Sequence, residues 1–239
     1  MKTIEVCYSP KLFDLYAHRD HIVVVIDVLR ATSSICVAFE HGVDHIVTSA
    51  TIEESMSLRS EGYLVAAERN GEMIDGFDFG NSPYSYMEDK IRGSRVALTT
   101  TNGTQAIEAA RKAHMVVIGS FLNQDALCAW LEQQDRSIVC LCAGWQNKFN
   151  LEDTLLAGAI VHQLKKTFQY TADCDSAIAA EYLYELARHD LYSFLENSSH
   201  RKRLARLHIE KDIEYCLTPN QTNVIPALVN GRLININRK

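Results

Sequence analysis

Residues 22–34 read IVVVIDVLRATSS: five consecutive apolar residues, then Asp27, then Arg30, Thr32, Ser33 and Ser34 leading into a helical pattern over residues 33–41. An apolar run without alternation implies burial on both faces, as in a parallel sheet covered by helices. Outward from this stretch the same unit recurs. Strand-like runs stand at 45–47, 64–66, 96–98, 115–118 and 138–141, and helical patterns at 52–60, 105–112 and 125–134. The alternation predicts an α/β fold, a mainly parallel sheet flanked by helices in three α/β/α layers. After Leu151 the pattern changes to helices at 151–166, 176–188 and 200–217, with a short strand pair only in 227–236. The C-terminal third is therefore expected to be helix-rich. No linker interrupts residues 1–239, which are expected to form a single unit or two closely packed α/β lobes.

Composition narrows the function classes. The 239 residues are 47% hydrophobic and 23% charged, with eleven glycines and four prolines, which excludes a disordered or collagen-like polymer. Twenty-four basic against thirty acidic residues give a net charge of −6, whereas a nucleic-acid binder normally carries a basic excess. No apolar run approaches the roughly 20 residues that cross a bilayer, and the first twenty residues carry no apolar signal core. No nucleic-acid partner, no membrane and a cytoplasmic location are the expectations. Seven cysteines, an odd number with no CxxC pair and no zinc spacing, read as reduced thiols, and Cys140 and Cys142 as buried small residues on one strand face. The basic run Arg201, Lys202, Arg203 and Arg206, beside His200 and His208, reads as a solvated helix face; the alternative is that one of these residues reaches an anionic ligand.

Chemistry gathers at strand ends. Asp27 closes an apolar strand where open α/β sheets place their ligands, and Arg30, Thr32 and Ser33 follow at a helix start suited to an anion. TTTNGT (99–104) is a hydroxyl-rich turn with Gly103 at another helix start, an anion cradle made of Thr101, Asn102, Gly103 and Thr104; the P-loop spacing GxxxxGK[ST] is absent. After the strand at 138–141, a polar loop carries Lys148, and Glu152 and Asp153 open the next helix. Glu68 and Arg69 follow the strand at 64–66 and begin an irregular segment, 67–87, of a length more often functional than accidental. In a parallel sheet these ends are expected to converge on one edge. Carboxylates, cations and hydroxyls brought together there suit Mg²⁺ and a phosphate, hence metal-assisted phosphoryl chemistry on a small anionic phosphorylated substrate.

In IDVLRATSS (26–34), ERNG with GFDFGNSP (68–83), TTTNGT (99–104) and CAGWQNKFNLEDTLLAGAIV (142–161) the sequence resembles the Mg²⁺-dependent 2-phosphosulfolactate phosphatases. Weaker echoes lie in the His200 helix, in 212–216 and around 224–226. The resemblance implies an α/β fold and hydrolysis of 2-phospho-3-sulfolactate to sulfolactate and phosphate, a step toward coenzyme M. It carries over Asp27, Arg30, Glu68, Asn81, Ser82, Asn102, Glu152 and Asp153 as site positions. The candidates are then Asp27, Arg30 and Glu68 for catalysis and Asp27, Glu152 and Asp153 for Mg²⁺. Thr32, Ser33, Arg69, Asn81, Ser82, Thr101, Asn102, Gly103, Thr104 and Lys148 are the substrate-binding candidates, with Arg69 and Lys148 assigned to a remote carboxylate or sulfonate. A homodimer is expected, as is common for enzymes of this size. Two alternatives stand beside this reading. A haloacid-dehalogenase-type phosphatase wants DxDx[TV], and Leu29 occupies the place of its second Asp. A non-catalytic phosphometabolite-binding regulator would keep the cradle but has no need of four acids.

Overall fold

The strand β2 (Ile22–Ile26) is buried at all five positions, and its two faces feed two different cores. Ile22, Val24 and Ile26 pack in one apolar cluster, and Val23 and Val25 in the other, as the two-residue period of a strand requires. In this computed structural model, which describes residues 1–16, 19–69, 71–207 and 209–237, β2 lies deep in a sheet of eleven strands. The first half of the chain contributes β1 (Lys2–Cys7), β2, α1 (Ala31–Glu40), β3 (His45–Thr48), α2 (Ile52–Ser57), β4 (Leu64–Arg69) and β5 (Glu72–Met73). Then come β6 (Arg95–Thr99), α3 (Gly103–Ala110), β7 (Met115–Gly119), α4 (Gln124–Glu132) and β8 (Ile138–Cys142). The C-terminal part holds α5 (Leu151–Lys165), β9 (Tyr170–Thr171), α6 (Asp175–Ala187), α7 (Leu191–Phe194), α8 (Ser199–Leu204), α9 (Glu210–Cys216), β10 (Pro226–Val229) and β11 (Arg232–Asn235). The expected α/β architecture with a helix-rich C-terminal part is present. All seven cysteines are free, and only Cys174 is not fully buried.

The sheet order is β5-β4-β6-β3-β11-β10-β7-β2-β8-β1-β9. Two parallel sets, β4-β6-β3 and β7-β2-β8-β1-β9, flank the C-terminal hairpin. The hairpin turns at Asn230-Gly231, whose φ angles of 50° and 78° are those a tight hairpin turn demands. Its outer edges join both sets antiparallel, Ala227 opposite Val117 and Leu233 opposite Ile46. Hairpin and flanks therefore give the two parallel sets opposite senses, which corrects the expectation that all the strand ends share one edge. Strand twist of roughly 20–25° per step accumulates over the five steps from β2 to β6. The ends of β2, β4 and β6 accordingly meet at a crevice between the sets.

The helix expected over 200–217 is broken. After α8 the chain makes a 3₁₀ turn at Ala205–Leu207 and restarts as α9, while His208 lies outside the described residues. Leu204 and Ile213 both enter the same core, yet nine residues apart at about 100° each they would face opposite sides of a straight helix. The break brings both inward.

Most of α5 is buried, including ten consecutive residues from Glu152 to Val161, because α6 covers the side turned away from the sheet. The approach is close enough that a Cβ on Gly158 would stand 2.0 Å from the Ala180 carbonyl oxygen. Gly158→Ala, which in an isolated helix gains about 1 kcal/mol, is expected here to cost about 2 kcal/mol by forcing α6 outward. Urea unfolding measures this; an unchanged or higher midpoint would show that the two helices are not held at this distance.

Candidate active site

Local hydrogen bonds fold the turn between β2 and α1. The Asp27 N–H donates to Thr32 Oγ1 at 3.0 Å, and the Thr32 N–H returns to the Asp27 carbonyl at 3.0 Å. Ser33 Oγ donates to the Val28 carbonyl at 2.8 Å and lies 2.9 Å from Ser120 Oγ, while Ser34 Oγ donates to the Asn81 carbonyl at 2.7 Å. Thr32 and Ser33, expected to bind substrate, thus spend their hydroxyls on the turn and do not line the pocket. What the turn delivers is Asp27 and Arg30. The Arg30 guanidinium pairs with the Asp212 carboxylate and donates to the Gly71 carbonyl at 2.6 Å, tying β2 to α9 and to the segment after β4. Asp212 is held in turn by Ser82 Oγ at 2.9 Å, so Ser82 orients this ion pair and does not face the pocket.

From the other parallel set, β4 presents Glu68, whose Oε1 accepts the Gly71 N–H at 2.5 Å and whose Oε2 is 3.4 Å from the Thr101 N–H. Asn102 precedes α3. A Cβ on the next residue, Gly103, would lie 2.6 Å from Ala31 Cβ and 2.8 Å from Asp27 Oδ2. Only glycine lets the starts of α3 and α1 abut around Asp27.

Asp27, Glu68, Asn81 and Asn102 line one side of a cavity of about 280 Å³, with Arg30 and Gly71. Trp145 from the loop after β8 and His200, Arg203, Leu204, Arg206 and Leu207 from α8 and its 3₁₀ turn line the rest. Arg203 stacks over Trp145, 4.5 Å from the ring centroid. Of the basic run after His200, Arg203 and Arg206 thus line the pocket, whereas Arg201 donates to the Tyr192 carbonyl and Lys202 is exposed. His200, Arg203, Leu204 and Leu207 recur at the i, i+3, i+4, i+7 spacing of one helix face, a signal that marks this wall in the sequence. Asp212 opens the weaker echo at 212–216, which gave it no role; tertiary pairing with Arg30 brings it to the site.

Other expected residues stand elsewhere. Arg69, Thr101 and Thr104 line a neighbouring groove with Ser49 and Thr100, and Arg69 donates to the Glu68 carbonyl and to Thr99 Oγ1. The Lys148 side chain is exposed, and its backbone pairs with Trp145 in a tight turn. Neither cation lines the pocket, whereas Arg203 and Arg206 do. Glu152 and Asp153 are both fully buried behind the pocket wall. Asp153 accepts the N–H of Val28 at 2.8 Å through Oδ1 and of Gly144 at 3.1 Å through Oδ2. Glu152 Oε1 bonds to Nδ1 of His200. These bonds occupy both Asp153 oxygens and Oε1 of Glu152, and neither acid, both expected as cation ligands, lines the pocket.

The electrostatics of the floor are unbalanced. Burial and the carboxylates of Asp153, Glu68 and Glu152 hold the Asp27 carboxyl well above the usual range. Burial and Glu152 push Asp153 up to about 7, against the lowering effect of its backbone hydrogen bonds. Oδ1 of Asn81 and Oε2 of Glu152 are buried without a hydrogen-bond partner among the described residues, as are Nε and Nη2 of Arg203. Buried polar atoms are normally paired. An oxygen-rich floor with the raised carboxyl of Asp27, the Glu68 carboxyl and a free amide oxygen fits a hard cation, and free guanidinium nitrogens fit an anion. A cluster of three potential metal ligands, His162 with Glu181 and Glu185, lies on α5 and α6 and lines none of this pocket.

Comparison with known proteins gives a consistent result. The profile of the family described as 2-phosphosulpholactate phosphatase matches residues 7–231. A protein of Thermotoga petrophila named "Probable 2-phosphosulfolactate phosphatase" is 44% identical over 211 residues, 88% of this chain and 90% of its own. Proteins bearing the same name from Caldanaerobacter subterraneus and Synechocystis are 37% and 35% identical over 217 and 213 residues, covering 89% and 87% of this chain and 90% and 88% of their own.

The Arg30–Asp212 pair, with side chains 4% and 8% exposed, is the tightest tie between α9 and the pocket. Removing one partner of a buried pair strands the other charge, so Asp212→Ala is expected to cost about 3–5 kcal/mol in urea unfolding. A loss below about 1 kcal/mol would show that solvent reaches Arg30 and replaces the carboxylate.

Proposed function

The chain belongs to the 2-phosphosulpholactate phosphatase family, and on that premise we propose that it hydrolyses the phosphate ester of 2-phospho-3-sulfolactate or a related small phosphorylated 2-hydroxy acid. The products are the free 2-hydroxy acid and phosphate, and the cation is Mg²⁺. One observation carries the reading: a single pocket combines the raised carboxyl of Asp27, the Glu68 carboxyl and a free amide oxygen with unpaired guanidinium nitrogens. A metal-bridged phosphate with an anionic tail has the matching distribution of charge.

Asp27 and Asn81 are the residues suited to holding the cation, which would neutralise charge on the phosphoryl oxygens. Glu68, at the pocket and oriented by the Gly71 N–H, is placed to take the proton of the attacking water. Arg30, its fork fixed by Asp212 and the Gly71 carbonyl, has further N–H groups for the phosphoryl oxygens. Arg203 and Arg206 supply charge for the carboxylate and sulfonate of the tail. A non-catalytic binder would gain nothing from buried acids that repel a phosphate.

The direct experiment is phosphate release from small phosphorylated 2-hydroxy acids with Mg²⁺ and with EDTA. Turnover that depends on the cation and prefers a sulfonated substrate is expected, and full activity in metal-free buffer would remove the cation from the reaction. Asp27→Asn is expected to lower kcat about 10²-fold or more with a near-normal melting temperature, because the amide keeps the shape of the carboxyl it replaces. A near-normal rate would make Asp27 structural.

The raised acids also set a pH dependence. A carboxyl whose folded pKa is raised contributes stability at pH below its ordinary range and loses it as pH rises, here toward about 7 for Asp153. Without a cation the fold should lose stability over that interval. A cation held by Asp27 must displace the proton that its raised carboxyl retains, so the Mg²⁺-induced rise in melting temperature should grow as pH rises above the ordinary carboxylate range. A rise independent of pH would place the cation away from these acids.

A further inference from the structure

We propose that His200 is the general acid that protonates the leaving oxygen of the ester, and that Glu152 is the residue that positions it. The proposal rests on the phosphatase reading and adds to it a group for which the cation and the floor acids leave a need. An alkoxide on the second carbon of a hydroxy acid is a poor leaving group, so cleavage of its phosphate ester gains from a proton delivered as the bond breaks.

Geometry selects the donor. Arg30, Arg203 and Arg206 stay charged and give up no proton, Asn81 and Asn102 do not titrate, and Asp27 and Glu68 are engaged with the cation and the attacking water. His200 is the titratable group on the opposite wall. Its surroundings are those of an oriented imidazole. Glu152 is 0% exposed on the first turn of α5, so it cannot itself reach the substrate, and its Oε1 is bonded to Nδ1 of His200. The Trp145 ring, 5.8 Å away and tilted by 34°, flanks the imidazole and is itself covered by Arg203. A carboxylate that accepts the Nδ1 proton fixes the tautomer and stabilises the imidazolium. Nε2, with no hydrogen-bond partner among the described residues, is the nitrogen left for the pocket.

The step balances. Water oxygen forms the new bond to phosphorus and its proton passes to Glu68. The bond from phosphorus to the ester oxygen breaks, and that oxygen keeps the electron pair and takes the proton from Nε2 of His200. Neutral imidazole, still bonded to Glu152, and protonated Glu68 then exchange protons with solvent, restoring both groups.

The test is leaving-group dependence, measured with Mg²⁺ on 2-phospholactate, on other alkyl phosphates and on activated aryl phosphates whose leaving groups need no proton. For the wild type, log kcat/KM should vary little with leaving-group pKa. His200→Asn should lower kcat on the alkyl esters about 10²-fold or more, at least tenfold more than on the aryl esters, and steepen the dependence. Glu152→Gln should show the same selectivity at smaller size, with KM little changed, because a positioning residue acts through the proton donor. Equal losses on alkyl and aryl esters would overturn the proposal. So would a steep dependence in the wild type, which requires no variant to fold. A wild type that releases phosphate from no ester would overturn the phosphatase reading itself, and this proposal with it.

Discussion

The site depends on one buried carboxylate. Asp153 sits on the first turn of α5 and holds the N–H of Val28, just past β2, and of Gly144, just past β8. These strands are paired neighbours in the sheet, and their ends would otherwise carry unsatisfied donors into the core. A charged acceptor makes the stronger kind of hydrogen bond, and here it fixes two loops and a helix start at once. Asp27 and Trp145 sit on the loops so fixed, and Glu152 on the helix. The cost of this device is visible in the raised pKa of Asp153.

Around that anchor the molecule separates charges by depth. Behind the pocket, carboxylates act on protein groups: Asp153 on backbone amides, Glu152 on His200, and Asp212 on Arg30 and Ser82. At the pocket, Asp27 and Glu68 face the ligand space opposite Arg203 and Arg206. Each buried acid that is spent on a neighbour makes that neighbour rigid, and rigid donors are what electrostatic catalysis requires. Among the pocket-lining residues, Asn81 and Arg203 keep buried polar atoms without a partner.

The two walls come from distant parts of the chain. The floor is built from strand ends of both parallel sets, and α8 with its 3₁₀ turn supplies the cationic wall. The C-terminal hairpin joins the two sets through a single residue pair on each side, so the crevice between them is set by the last strands of the chain.

Periodicity and local chemistry were enough to place the six buried strands read from the sequence, the helices between them, the hairpin in residues 227–236 and the acids Asp27 and Glu68 at strand ends. Those features depend on neighbours a few residues away, where burial on two faces or a helix start leaves a local imprint. The partner of Arg30, the brace role of Asp153, the dyad of Glu152 and His200 and the arrival of Arg203 in the pocket depend on contacts across tens to hundreds of residues. The insertion of the hairpin between the parallel sets belongs with them, because a strand's pattern reports that it is paired but not with which strand. The sequence by itself determined which groups stand at the ends of strands and helices. Tertiary packing alone decided which face a ligand and which are consumed by their neighbours, since a buried carboxylate looks the same in one dimension whether it meets solvent, an imidazole or a backbone amide.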